Sequence, residues 1–167
     1  SDRSIKWIEN LAEQEQLIDK GEKACVDIGT TKDELLIMET SLFVREIVYQ
    51  FEYLIRLFNG RVISTNLHVT TVRVHDQPGS LLIIRNKVRM SIGSAQPGVV
   101  RLQCDKLLSG DCGPATVMNM MFSGIIEGKF ETFHDVEWYF LGARIRADQV
   151  ACHYLTEFLQ VSRDLQV

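Results

Sequence analysis

The residues of this chain that could do chemistry are few and scattered. Cys152 and His153 stand side by side, with Glu157 one turn beyond the histidine if the segment is helical. A thiol, an imidazole and a carboxylate are the parts of a nucleophilic relay. Neighbours on a helix diverge by about 100°, however, so Cys152 and His153 cannot readily serve one centre. A cysteine nucleophile would need another histidine, such as His134, brought near by folding. A solvated histidine beside a glutamate is the plainer reading. Ser109-Gly110-Asp111-Cys112-Gly113 sets glycines on either side of a nucleophile, as a nucleophile elbow does. That turn joins a strand to a helix, and here Pro114 and a further strand follow.

Metal and cofactor chemistry find no better footing. The four histidines, His68, His75, His134 and His153, fall on separate predicted elements, and none forms the i, i+4 pair of a helical zinc site. Cys25, Cys104, Cys112 and Cys152 lack the two-residue gap of zinc ribbons and redox pairs, and read as reduced core thiols. No glycine-rich loop opens a helix, so phosphate-cradling nucleotide sites have no candidate. Glu131, Asp135 and Glu137 could supply an acid–base pair if they faced a cleft; a turn and a solvated strand face explain them more simply. The sequence therefore points away from an enzyme and implies no metal and no cofactor.

Charge is the one uneven feature. The net charge of −4 divides into −5 over residues 1–60 (12 acidic, 7 basic), +5 over 61–107 (2 acidic, 7 basic) and −4 over 108–167 (8 acidic, 4 basic). Arg85, Lys87, Arg89 and Arg101 in the basic stretch form a candidate anion-binding set, because lysine and arginine on adjacent exposed strands attract phosphates. Base-stacking aromatics are not interleaved with them, which disfavours nucleic acid as a partner. Neutralisation of acidic helices by a basic sheet is the simpler reading.

The elements that must position these residues follow from hydrophobic period. Ile5, Ile8, Leu11 and Ile18 recur at helical spacing and predict a helix over 4–20. Thr31 with Glu34 fits a capping box that would start a second helix, running about 27 residues, or about 40 Å, to the stop at Asn59-Gly60. Its stripes Leu36, Phe43, Ile47, Phe51, Leu54, Phe58 and Ile37, Val44, Val48, Ile55 make an unusually wide apolar face. From Arg61 the period becomes two. Strands are predicted over 62–75, closed by the turn Asp76-Gln77-Pro78-Gly79, and over 81–92, folded at Asn86-Lys87. Another over 99–104 is joined to it through 94–98. Inward residues of the last pair are all even, so paired numbers must sum to an even total, with Arg89 opposite or diagonal to Arg101. Residues 108–115 read as a loop. Met118, Met120, Phe122, Ile126 and Phe130 share one face of 116–133, with a bulge or bend expected at Gly124 or Gly128. A last strand over 136–141 and a helix over 147–162 close the chain.

The whole describes a single α+β domain: a helical segment over 1–60 forming an N-terminal hairpin, an antiparallel meander of about five to seven strands over 61–141, and a C-terminal helix over 142–167 packed on the sheet. No apolar run approaches the ~20 residues of a membrane span, and residues 1–16 are acidic and amphipathic where a signal peptide is basic and then apolar, so a cytoplasmic setting is expected. The favoured function is a non-enzymatic binding or oligomerisation module forming a homodimer. A second reading, a binding protein or an enzyme, places an apolar small molecule in a cavity between sheet and C-terminal helix, lined by Met118, Met120, Phe122 and Trp138. The third is the polyanion binder above.

Overall fold

The computed structural model describes residues 2–19, 28–74, 79–108, 117–131 and 135–163. Two helices open the chain, α1 (Asp2–Asp19) and α2 (Ile28–Arg61). After one 3₁₀ turn, Thr65–Leu67, come β1 (Thr70–Arg73), β2 (Leu81–Arg85), β3 (Val88–Gln96), β4 (Val99–Leu108), β5 (Val117–Phe130), β6 (Val136–Phe140) and β7 (Ala143–Arg144). Helix α3 (Ala147–Val161) closes the described chain. The seven strands form one antiparallel sheet in sequence order, the expected α+β meander with its C-terminal helix on the sheet.

Both α2 and α3 lie on one face of the sheet. Phe43, Ile47, Phe51 and Ile55 of α2 and Val150, Tyr154 and Phe158 of α3 meet Ile83, Met90, Leu102 and Ile126 of the strands in a single apolar core. The alternation of β3, with Val88, Met90 and Ile92 buried against Arg89 and Ser91 exposed, is what a one-sided sheet requires. The other face carries no helix among the described residues.

Both predicted stripes of α2 are buried between Phe43 and Ile55, Leu54 only partly, so the wide apolar face is filled by sheet and α3 together. At 34 residues α2 spans about 51 Å, longer than expected at both ends. It begins at Ile28, so Thr31 lies inside it rather than capping it. Near its C-terminus the Asn59 side chain donates to Val69 O and accepts from Val69 N, both at 2.9 Å. This amide imitates a strand partner and holds the chain after α2 out of the sheet. Residues 62–69 are consequently not strand, contrary to the sequence expectation, and β1 is confined to four residues.

The β2–β3 connection is the expected two-residue hairpin at Asn86-Lys87, with φ of 49° and 65°. The β3–β4 register sums to an even total, as parity demands, but its value places Arg89 opposite Asp105 and Arg101 opposite Gly93. The two arginines are thus four residues apart along the strands and not neighbours. Strand β5 runs unbroken for 14 residues. Its irregularity is an extra residue, Met121, between Phe122 opposite Cys104 and Met120 opposite Asp105. The two glycines suspected of bending it serve packing instead. A β-carbon at Gly124 would collide with the Tyr154 hydroxyl, and one at Gly128 would press on the Trp138 ring.

Candidate interaction surface

The bulge at Met121 decides where the methionines go. On its C-terminal side Phe122, Gly124 and Ile126 face the core; on its N-terminal side Met118 and Met120 pair with Leu107 and Asp105 and pass to the outer face. Met120 is 60% exposed, and Phe122 stacks on Tyr154 beneath α3 with ring centroids 5.9 Å apart. Trp138 lies flat on Phe43 of α2 at 4.3 Å. Met118, Met120, Phe122 and Trp138 therefore do not converge on one cavity. The space between sheet and α3 is filled by Val150, Ala151, Tyr154, Leu155 and Phe158, all buried. A cleft of about 820 Å³ does open where α2, β6 and the start of α3 meet. Glu39, Tyr49, Gln50, Trp138 and Arg146 are among its lining residues. Asp148 at its rim is held below its usual carboxylate range by the Arg146 guanidinium 3.1 Å away.

The four proposed anion-binding residues are separated as well. Arg85 is on the core face, only 7% exposed, where Nε donates to Ser162 Oγ at 2.9 Å, Nη1 to Leu67 O at 3.2 Å and Nη2 to Leu159 O at 2.6 Å. Its guanidinium sits over Phe58. Burial, and then the charge of Arg163, lower its pKa. Lys87 is at the hairpin tip, Arg89 faces Asp105, and Arg101 stands apart. Elsewhere in the basic stretch, Arg73 is neutralised by Glu52 at 2.8 Å. The excess of +5 is dispersed over both faces and the edges, leaving no continuous basic patch on the described strands.

Of the candidate catalytic groups, Cys152 and His153 are exposed on α3, His153 Nε2 being 3.3 Å from Glu157 Oε1. Cys104 is fully buried, and burial, with Asp105 and Glu157, pushes its thiol up to about 12. Glu131 accepts a hydrogen bond from the Tyr139 hydroxyl and lies 3.7 Å from Arg144, so it is engaged in a charge-balanced cluster at the sheet end. Asp135 is exposed, and Glu137 borders the cleft. Residues 109–113, His75, His134, Cys25 and Cys112 lie outside the described residues. Among the described residues no group of three histidine, cysteine or acidic side chains is placed to hold a metal, and no helix is long and apolar enough to cross a membrane.

Two surfaces emerge that the hydrophobic stripes did not single out. On α2, Leu42, Tyr49, Tyr53 and Leu57 form an exposed row on the side away from the core. On the sheet, β5 pairs with β4 over 117–127 while β6 takes only Glu127–Phe130. Among the described residues, nothing pairs with the far edge of β5 from Val117 to Ile126. The mismatch between a 14-residue strand and a 5-residue neighbour was the available signal.

Comparison with models of known protein families, with curated proteins and with solved structures returns no match. The fold and its surfaces define a class: a two-layer α+β protein with an antiparallel meander, helices on one face, and a central strand that, among the described residues, is unpaired along most of one edge.

Proposed function

We propose that this chain is a non-enzymatic association module that works as a homodimer. The open edge of β5 carries the reading. A long row of unpaired backbone donors and acceptors is a template for another strand; solitary proteins shorten, cover, charge or bulge such edges, and of these devices the described 117–126 stretch has the bulge at Met121. Closed two-fold dimers are the commonest way for a chain to cover a surface with itself. Sedimentation velocity across a concentration series tests it: a dimer in the micromolar range is expected, and a monomer at 100-fold higher concentration would end the proposal.

The cleft beside Trp138 supports a second reading, a small-molecule binder, since its volume falls within the range of about 300–1,000 Å³ typical of ligand sites. With Trp7→Phe removing the other tryptophan, a ligand seated there would change the Trp138 emission saturably. An invariant emission across a library of apolar and charged small molecules would remove this reading.

A further inference from the structure

Resting on the homodimer reading, we infer that the two copies join through β5 itself, the Val117–Ile126 edge of one pairing antiparallel with the same edge of the other about a two-fold axis. One continuous sheet results, with seven strands from each copy.

Three observations lead there. The edge is long, and the alternatives are short: β1 has four residues, one of them Arg73 tied to Glu52, and β7 has two. A ten-residue edge offers several backbone pairs at once, whereas two to four residues offer little.

The chemistry of the edge is self-complementary. Val117–Ile126 reads VMNMMFSGII and contains no charged residue and no proline. The charges of β5, Glu127 and Lys129, fall beyond this stretch, where β6 is paired. An edge without charge gives a charged peptide nothing to pair with and gives an identical copy nothing to repel. Antiparallel pairing of a strand with itself is isologous, each contact being made twice by exchange of roles.

The side chains beside the edge are those an interface would cover. Met120, Met121 and Ile125 are 60%, 37% and 47% exposed. The β6–β7 turn raises Leu141, 91% exposed, at a groove of about 590 Å³ that it lines with Ser123, Gly124, Ile125 and the charged Glu127 and Lys129. A second β5 laid along the edge would cover this leucine.

The test uses the full chain with Met121→Lys and Met121→Glu, near the midpoint of the edge, and Tyr49→Arg with Tyr53→Arg on the exposed side of α2 as the competing surface. Circular dichroism checks that each variant is folded. Either Met121 variant alone should weaken the dimer about tenfold or more by placing like charges near the axis. An equimolar mixture of the two should form a heterodimer, a rescue that mere damage to the fold would not permit. In the wild type, alternate amides on either side of the Met121 bulge, within 117–120 and 122–126, should be protected from hydrogen exchange and lose that protection on dilution. A wild-type dimer that ignores both Met121 changes, or one broken only by the Tyr49 and Tyr53 changes, overturns the β5 pairing and leaves the homodimer standing. A wild-type monomer overturns both.

Discussion

Arg85 Nη2 donates to the Leu159 carbonyl at 2.6 Å, tying the second strand of the sheet to the last turn of the closing helix. The carbonyls at a helix C-terminus lack intrahelical partners and carry partial negative charge, which a buried guanidinium satisfies on both counts. The same side chain holds Ser162, the residue after the helix, and Leu67 before β1. Three separate parts of the chain thus meet at one cation. Arg85→Met keeps much of the apolar stem and strands the acceptors. A loss of about 2–4 kcal/mol in urea unfolding is expected, with Arg85→Lys recovering only part, because one ammonium cannot reproduce the planar fork. A loss below about 0.5 kcal/mol would show that water serves these carbonyls equally well.

Gly124 and Tyr154 are similarly interdependent. The tyrosine hydroxyl of α3 occupies the space a β-carbon at position 124 would need. Gly124→Ala should cost about 1–3 kcal/mol as the ring is forced aside. In a Tyr154→Leu background the same change should cost about 1 kcal/mol less. Strict additivity in that double-mutant cycle would mean that the strand, and not the ring, resists the alanine.

Thr40 links the middle of α2 to the β3–β4 turn. Its buried hydroxyl donates to Leu36 O at 2.6 Å and accepts from Gly98 N at 2.8 Å, where the glycine has a φ of 81°. Thr40→Val should destabilise by about 1–2 kcal/mol and Thr40→Ser by much less. Amide exchange at Gly98 provides the local check, since only the valine variant should speed it.

Alkaline pH should unfold the protein before any backbone chemistry does. Cys104 is pushed from 9.0 up to about 12 by burial, and Tyr154 from 10.0 up to about 12 by burial and then by Glu157. Both are acids whose folded pKa exceeds the unfolded one. Their contribution is therefore full below pH 9 and is lost as pH rises toward 12, the unfolded chain releasing protons first. Each group can contribute a slope of up to about 1.4 kcal/mol per pH unit in that window. Chemical denaturation between pH 8 and 11 should show declining stability, with a shallower decline in Cys104→Ala. An identical slope in that variant would place the titrating group elsewhere.

The alternation of Val88, Met90 and Ile92 with Lys87, Arg89 and Ser91 was enough to read a half-buried strand, its even-numbered register and the Asn86-Lys87 hairpin. The stripe from Val150 to Phe158 located α3 nearly to its ends. Such patterns are local, since side chains two apart on a strand or three and four apart on a helix share a face whatever lies opposite. Residues 62–69 misled because their β-branched run looks extended, while Asn59, brought back by the end of α2, takes the backbone of Val69 first. The methionines of β5 misled for a related reason. Their face depends on the extra residue at Met121, which exists only relative to the Cys104–Asp105 step of β4.

The candidate surfaces were less legible still. Arg85, Lys87, Arg89 and Arg101 are near one another in sequence and share a charge, yet Arg85 belongs to the core and Arg89 stands before Asp105, separations that register alone decides. By itself the sequence determined the order and type of the main helices and strands, the apolar faces that had to be covered and the uneven charge, because these follow from residue type and period. Only the tertiary structure decided that charge is dispersed rather than concentrated, that the sheet–helix core is filled, and that β5 outruns β6, leaving its far edge unpaired among the described residues. Those depend on which residues stand opposite each other across strands, and that pairing is a property of the assembled sheet rather than of any segment within it.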